Sequence, residues 1–333
     1  MSFSQSDKIG LLVHNMKILS RILKMASANT RMIVAAQYTA AGEAADETAF
    51  RDIDQRLKKG AGWFSVLSRD IRFCLDAMLL IDKKQTSGSA ELLFDRYRKL
   101  VKSGFLRQQQ TYIAAAMLAG AEENGLDAIM AKANEMYKLL KKRHFVLTNG
   151  GDVSLIILLA QLDAEAPVLI EREEYYFEGL QKYGFRKNND LQTLACVLAF
   201  LSDQPSRSLI EKCAAVKNSI AANRIRLHSN CYPIYGMIAL LQDEDHAVQE
   251  IANFYQAMRE EKMSLFIDKD FYFQTAAHLC IGSRLQAEGQ ERAADPGIVS
   301  MTDLLIRAQE AAQAAAMAAS ASAVIAANSS GAN

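Results

Sequence analysis

Apolar residues at Ile9, Leu12, Met16, Leu19, Ile22 and Leu23 fall at the spacing of one helix face, with Lys and Arg between them. The spacing predicts a first helix, capped by Ser6 or Asp7. A second helix is expected over 30–41 and a third over 47–59, behind Asp46 as cap, with Phe50, Ile53 and Leu57 as its apolar stripe. Gly60 and Gly62 end that helix, and Trp63, the sole tryptophan, is expected to return to the core beside Phe64.

Beyond this point the pattern recurs at a step of 40 residues. Phe105, Phe145, Phe185, Ile225 and Leu265 keep that step, as do Leu118, Leu158, Leu198, Ile238 and His278. Each unit reads as two helices. The first helices are expected over 70–81, 109–119, 153–162, 191–201, 234–241 and 271–281, where Ala115, Leu155, Ala195, Tyr235 and Thr275 stay in step. The second helices follow polar loops with start signals at Ser89, Asp127, Pro167 and Asp245. On them Leu100, Leu140, Leu180 and Ile220 recur, as do the aromatic residues Tyr97, Tyr137 and Phe177, which suggests one wedge per joint.

The fold class expected is all-α, an array of about six helical hairpins from Thr30 to Leu265, either an open α-solenoid or a closed α/α toroid. One more first helix follows the array, and the N-terminal helix is expected to cap it. The domain reading is 1–285 for the repeats and 286–333 for a polar loop, an Ala-rich helix over 302–327 and a frayed end. A polar stretch is expected from Gly282, so cutting there should leave a folded protein.

Composition narrows the function classes. Four prolines and seventeen glycines in 333 residues suit helices. Thirty-eight basic and thirty-eight acidic side chains cancel, which leaves no field to draw nucleic acid or anionic lipid. Five scattered cysteines read as reduced core thiols of a cytoplasmic protein. The first eight residues lack the pattern of a secretory signal, and the Ala-rich segment 311–327 is too short and weakly apolar to span a membrane.

Stacked units carry the loops before their first helices on one rim. That rim gathers Arg69, Asp70, Gln109, Asn149, Asp268 and Gln274 with the candidate binding residues Asp152, Asn188, Asp190, Gln192, His228, Asn230 and Asp270. Two readings stand: a polar binding surface, or helix capping alone. Asn188, Asn189, Asp190 and Gln192 exceed what one cap requires, so a binding site is expected on this rim and not on the opposite loops, such as 85–89 or 243–245. His228 and Cys231 sit three apart, yet no Cys-x-x-Cys pair or His-Glu-x-x-His helix completes a metal site. His278 reads as a buried, hydrogen-bonded histidine. The chain carries no phosphate-binding glycine loop and no Gly-x-Ser-x-Gly elbow, so neither a cofactor nor a catalytic residue is assigned.

Gly62-Trp63-Phe64-Ser65 with Arg69, the segment 144–148, Gly184-Phe185 to Leu201 and the Ala-rich tail together resemble a family of uncharacterised Gram-positive bacterial proteins, a domain of unknown function. The resemblance implies a cytoplasmic bacterial protein and carries over no site. Two function classes follow. The preferred one is a module that binds a protein or peptide on an open solenoid, and the other is a toroidal enzyme or small-molecule binder with its pocket on the rim.

Overall fold

The computed structural model describes residues 4–62, 65–81, 89–143, 152–261, 263 and 267–287. Trp63, Phe145, Asn149, Leu265, the loop 85–88 and the segment 288–333 therefore lie outside the described residues. Among those described are fourteen α-helices, which alternate in character. One set is amphipathic: α1 (Gln5–Ile22), α3 (Glu47–Ala61), α5 (Ser89–Lys102), α7 (Leu126–Arg143), α9 (Ala166–Lys182), α11 (Arg207–Ala222) and α13 (Glu244–Glu260). The other is buried almost all round: α2 (Ala28–Ala40), α4 (Arg69–Ile81), α6 (Gln109–Met117), α8 (Val153–Ala160), α10 (Asn189–Leu201), α12 (Tyr232–Ala239) and α14 (Lys269–Ala287). A helix apolar on every side must be covered on every side, so the even-numbered helices form an inner layer and the odd-numbered ones an outer layer.

Each outer helix packs on the inner helix that follows it, which makes seven hairpins. Neighbouring inner helices pack on one another in chain order, and α14 packs back on α2. The first and last hairpins therefore touch and the array closes into an α/α toroid. Polar contacts between described residues hold this seam: Lys8 Nζ on α1 donates to the Leu279 carbonyl at 2.6 Å, and the Asp268 amide donates to Asn29 Oδ1 at 3.2 Å.

The N-terminal helix, the six expected hairpins and the further first helix account for all fourteen helices, and they pair as seven hairpins because each outer helix packs on the inner helix after it, which makes α1 the outer helix of the first. Buried Asn15 on α1 donates to Thr39 Oγ1 and the Glu43 carbonyl and accepts from the Ala45 amide, tying α1 to α2 and the loop beyond it. Its cap is Ser4, whose hydroxyl takes the Asp7 amide while Asp7 bonds back to the Ser4 amide. At the other end α14 runs through Gly282 to Ala287 instead of ending in a loop. Leu285 is fully buried and Arg284 pairs with Glu250 at 3.0 Å, so packing carries the helix past the glycine.

The 40-residue step has a local cause. Gly184 adopts a φ of +74°, its amide donates to the Gln181 carbonyl and the Phe185 amide donates to the Leu180 carbonyl, a Schellman ending that brings Phe185 back against Leu180. Gly104 with Phe105 on Leu100, and Arg224 with Ile225 on Ile220, repeat it. The recurring aromatic or aliphatic plug is therefore the residue after the left-handed one. Phe185 then meets Tyr232 of the next hairpin edge-on at 4.9 Å, which makes the joint between units.

At the opposite rim, cations of the outer helices take the last carbonyls of their inner partners, groups a helix end leaves unpaired. Lys132 bonds to Leu162, Arg172 to Ala199 and Ser202, and Lys212 to Leu241, again 40 apart. Asp243, and not Asp245, caps α13 through the His246 amide, so one opposite loop is committed to capping. No described helix is long and apolar enough to cross a membrane.

Candidate functional site

Because the hairpins alternate outer and inner helices, all seven inner helices begin on the same rim. A cavity of about 360 Å³ opens there, lined by Asn29, Asp190, His228, Ser229, Asn230, Asp268, Asp270 and Phe271. These residues come from hairpins five, six, seven and one, so the cavity spans the seam that closes the ring.

Its side chains are fixed by bonds among themselves. Asn188 caps α10 by accepting the Leu191 amide, and its own amide donates to Asp190 Oδ2 at 3.0 Å and to Ser229 Oγ at 2.9 Å. The Ser229 hydroxyl donates to the same Asp190 oxygen at 2.5 Å. Burial pushes the Asp190 carboxyl up, opposed by the bonds from Ser229 and Asn188. Asp268 caps α14 by accepting the Asp270 amide at 2.8 Å. Asp270 is 1% exposed, and its Oδ2 accepts both the His228 amide at 3.2 Å and Nδ1 of the same histidine at 2.7 Å. The His228 ring stays largely exposed, with Nε2 on its far side. A buried carboxylate on Nδ1 fixes the tautomer and leaves Nε2 as a hydrogen-bond acceptor.

Cys231 is buried beneath the loop, with Gln274 Nε2 at 3.6 Å from its sulfur, and among the described residues no group of three or more His, Cys, Asp or Glu is placed to hold an ion.

The family model described as Protein of unknown function (DUF4003) matches residues 15–311. The chain belongs to this family. The uncharacterized protein YeaA of Bacillus subtilis (strain 168) is 23% identical over 289 residues, covering 86% of this chain and 86% of that protein. No solved structure matches the chain.

Within this DUF4003 chain the seven candidate binding residues divide into groups. Asp190, His228, Asn230 and Asp270 line the cavity, and Asn188 braces it. Gln192 is fully buried, and neither end of its amide has a partner among the described residues. Asp152 does not line the cavity. It is buried at the start of α8, near the fully buried Glu173 and Cys196, whose ionisations its charge disfavours. His278 is buried.

Sequence reasoning missed Asn29, Ser229 and Phe271 as lining residues. A signal for Asn29 was present: Thr30, Asp70, Gln110, Asp190, Asn230 and Asp270 keep the 40-residue step around the ring, and Thr30 Oγ1 donates to Asp70 at 2.9 Å. Carrying the step back to the first hairpin puts Asn29 on the same rim.

Proposed function

We propose that this protein is a toroidal binder of a small polar molecule, with its site in the rim cavity at the seam of the ring. The observation that carries this reading is the cavity itself. Its volume lies at the low end of the range for small-molecule pockets, and its polar side chains converge from four hairpins. An open solenoid would offer a long concave face to a peptide, whereas contact between α14 and α2 closes that face, which favours the small molecule over the protein partner. Asp190, His228, Asn230 and Asp270 are the proposed contacts, braced by Asn188, with Gln192 buried one turn along α10. The array over 1–285 is proposed to act as one unit, with 286–333 appended to it. Five buried cysteines, none in a disulfide, suit a reducing cytoplasm.

Thermal-shift screening of a metabolite collection tests the reading. A ligand that raises the melting temperature of wild type and of Asp245→Ala, but not of Asp190→Ala with Gln192→Ala, supports the rim site. Equal shifts in all three proteins would place the ligand elsewhere.

A further inference from the structure

The charged side chains of the rim cavity are carboxylates, set beside the carboxamides of Asn29 and Asn230. The Ser229 hydroxyl and the Asn188 amide are spent on Asp190, and the Nδ1–H of His228 is spent on Asp270. Asp270 lines the cavity, and its Oδ1, sealed from solvent behind the cavity wall, has no hydrogen-bond partner among the described residues. A carboxylate oxygen removed from water without a partner is costly, so a donor that reaches it gains more than one in open solvent would.

Charge points the same way. Asp190, Asp268 and Asp270 line the cavity, and no Lys or Arg is among its described lining residues. The N-termini of α10, α12 and α14 each contribute about half a positive charge, too little to neutralise three carboxylates. A bare metal ion is disfavoured because no described group converges on one, and the volume exceeds what an ion needs.

We propose that the cavity receives an ammonium or guanidinium group, whose N–H bonds are taken by acceptors drawn from the Asp190, Asp268 and Asp270 carboxylates and His228 Nε2. This inference rests on the reading of the rim cavity as a ligand site. The group belongs either to a free small amine or to a Lys or Arg side chain of a peptide, and the two sources are separable by titration.

Isothermal titration calorimetry of the full chain at one fixed ionic strength, with agmatine, putrescine and the blocked peptide acetyl-Ala-Arg-Ala-amide, is the test. Inorganic phosphate, glucose and magnesium chloride serve as contrasts. An organic cation should bind, and Asp270→Asn should weaken it about ten- to hundredfold, the loss of one charge-assisted hydrogen bond. Binding of agmatine or putrescine alone identifies a free amine, and equal binding of the peptide identifies a side chain. Should Asp270→Asn melt well below wild type, Asp190→Asn takes its place, and protection of His228 from diethyl pyrocarbonate by agmatine supplies a second readout. Phosphate or glucose binding that depends on Asp270 would overturn the cation while keeping the cavity as a ligand site. Magnesium binding lost in Asp270→Asn, without any organic cation, would overturn it in favour of a metal. Silence from every compound at millimolar concentration would overturn the cation inference and leave the rim reading to the metabolite screen.

Discussion

At position 224 an arginine holds the left-handed turn, φ +59°, that glycine holds at 104 and 184 in the equivalent joints. A side chain pays a steric cost there that glycine avoids, partly offset by glycine's looser unfolded chain. Arg224→Gly should therefore stabilise the protein by about 0.5–1 kcal/mol in urea unfolding; a loss would mean that the arginine side chain contributes a contact outweighing the strain. Glu173 presents the opposite case, a fully buried carboxyl without a partner among the described residues. Burial pushes it well above the usual range, nearby Glu174 and Asp152 add to the shift, and Arg143 opposes it. The folded state thus holds a proton that the unfolded chain releases above about pH 4. The contribution of Glu173 to stability is therefore greatest below that pH and falls as pH rises toward its folded value. Glu173→Met removes both the titration and the unpaired oxygens, so it should gain about 1–3 kcal/mol at pH 8 and less at pH 5. Thermal melts at the two pH values check this, and an equal change at both would show that the carboxyl does not titrate with folding.

Helix existence was legible because each inner helix is a long apolar run and each outer one carries a stripe, patterns that packing reinforces. Boundaries were less so where tertiary contacts override local signals. Gly282 reads as a stop, yet α14 continues through it because Leu285 finds a buried site and Arg284 reaches Glu250. Cutting the chain after Ala287 should keep wild-type helical circular dichroism, whereas cutting from Gly282 should cost about 3 kcal/mol, the scale of losing a buried leucine. Equal stability of the two truncations would mean that the last turn of α14 adds nothing. Between inner helices, Gly236 of α12 lets α10 approach so closely that an added Cβ would lie 2.6 Å from Leu194 and 3.0 Å from Leu198. Gly236→Ala should destabilise by about 1–3 kcal/mol through this overpacking, measured in urea. Periodicity marks that position as helical, but it cannot mark it as a contact, since the neighbour lies forty residues away in sequence.

Ring closure was the part of the fold hardest to read, because an open and a closed array share the same period and the closing bonds join residues 239 and 271 apart. The same fact explains which half of the site was legible. Asp190, His228, Asn230 and Asp270 recur as polar loop residues before apolar helices, while Asn29 joins them only through the seam. Closure also changes how the molecule should unfold. In an open array each end has one neighbour and frays first, so stability is a sum of local terms. In a ring every hairpin has two neighbours, and unfolding any one of them breaks two joints at once. The buried thiols report on this at separate places: Cys74 on α4, Cys196 on α10, Cys213 on α11, Cys231 before α12 and Cys280 on α14. Burial raises the Cys280 thiol to about 12 and pushes Cys196 and Cys213 up as well, which keeps them unreactive until the chain opens. Labelling with a thiol reagent across a urea series, read residue by residue in a mass spectrometer, should show all five becoming reactive at one midpoint, coincident with the loss of helical signal. Earlier labelling of Cys280 in the last hairpin, with Cys196 still protected, would describe an array that opens from its end and would remove the seam from any account of the rim cavity.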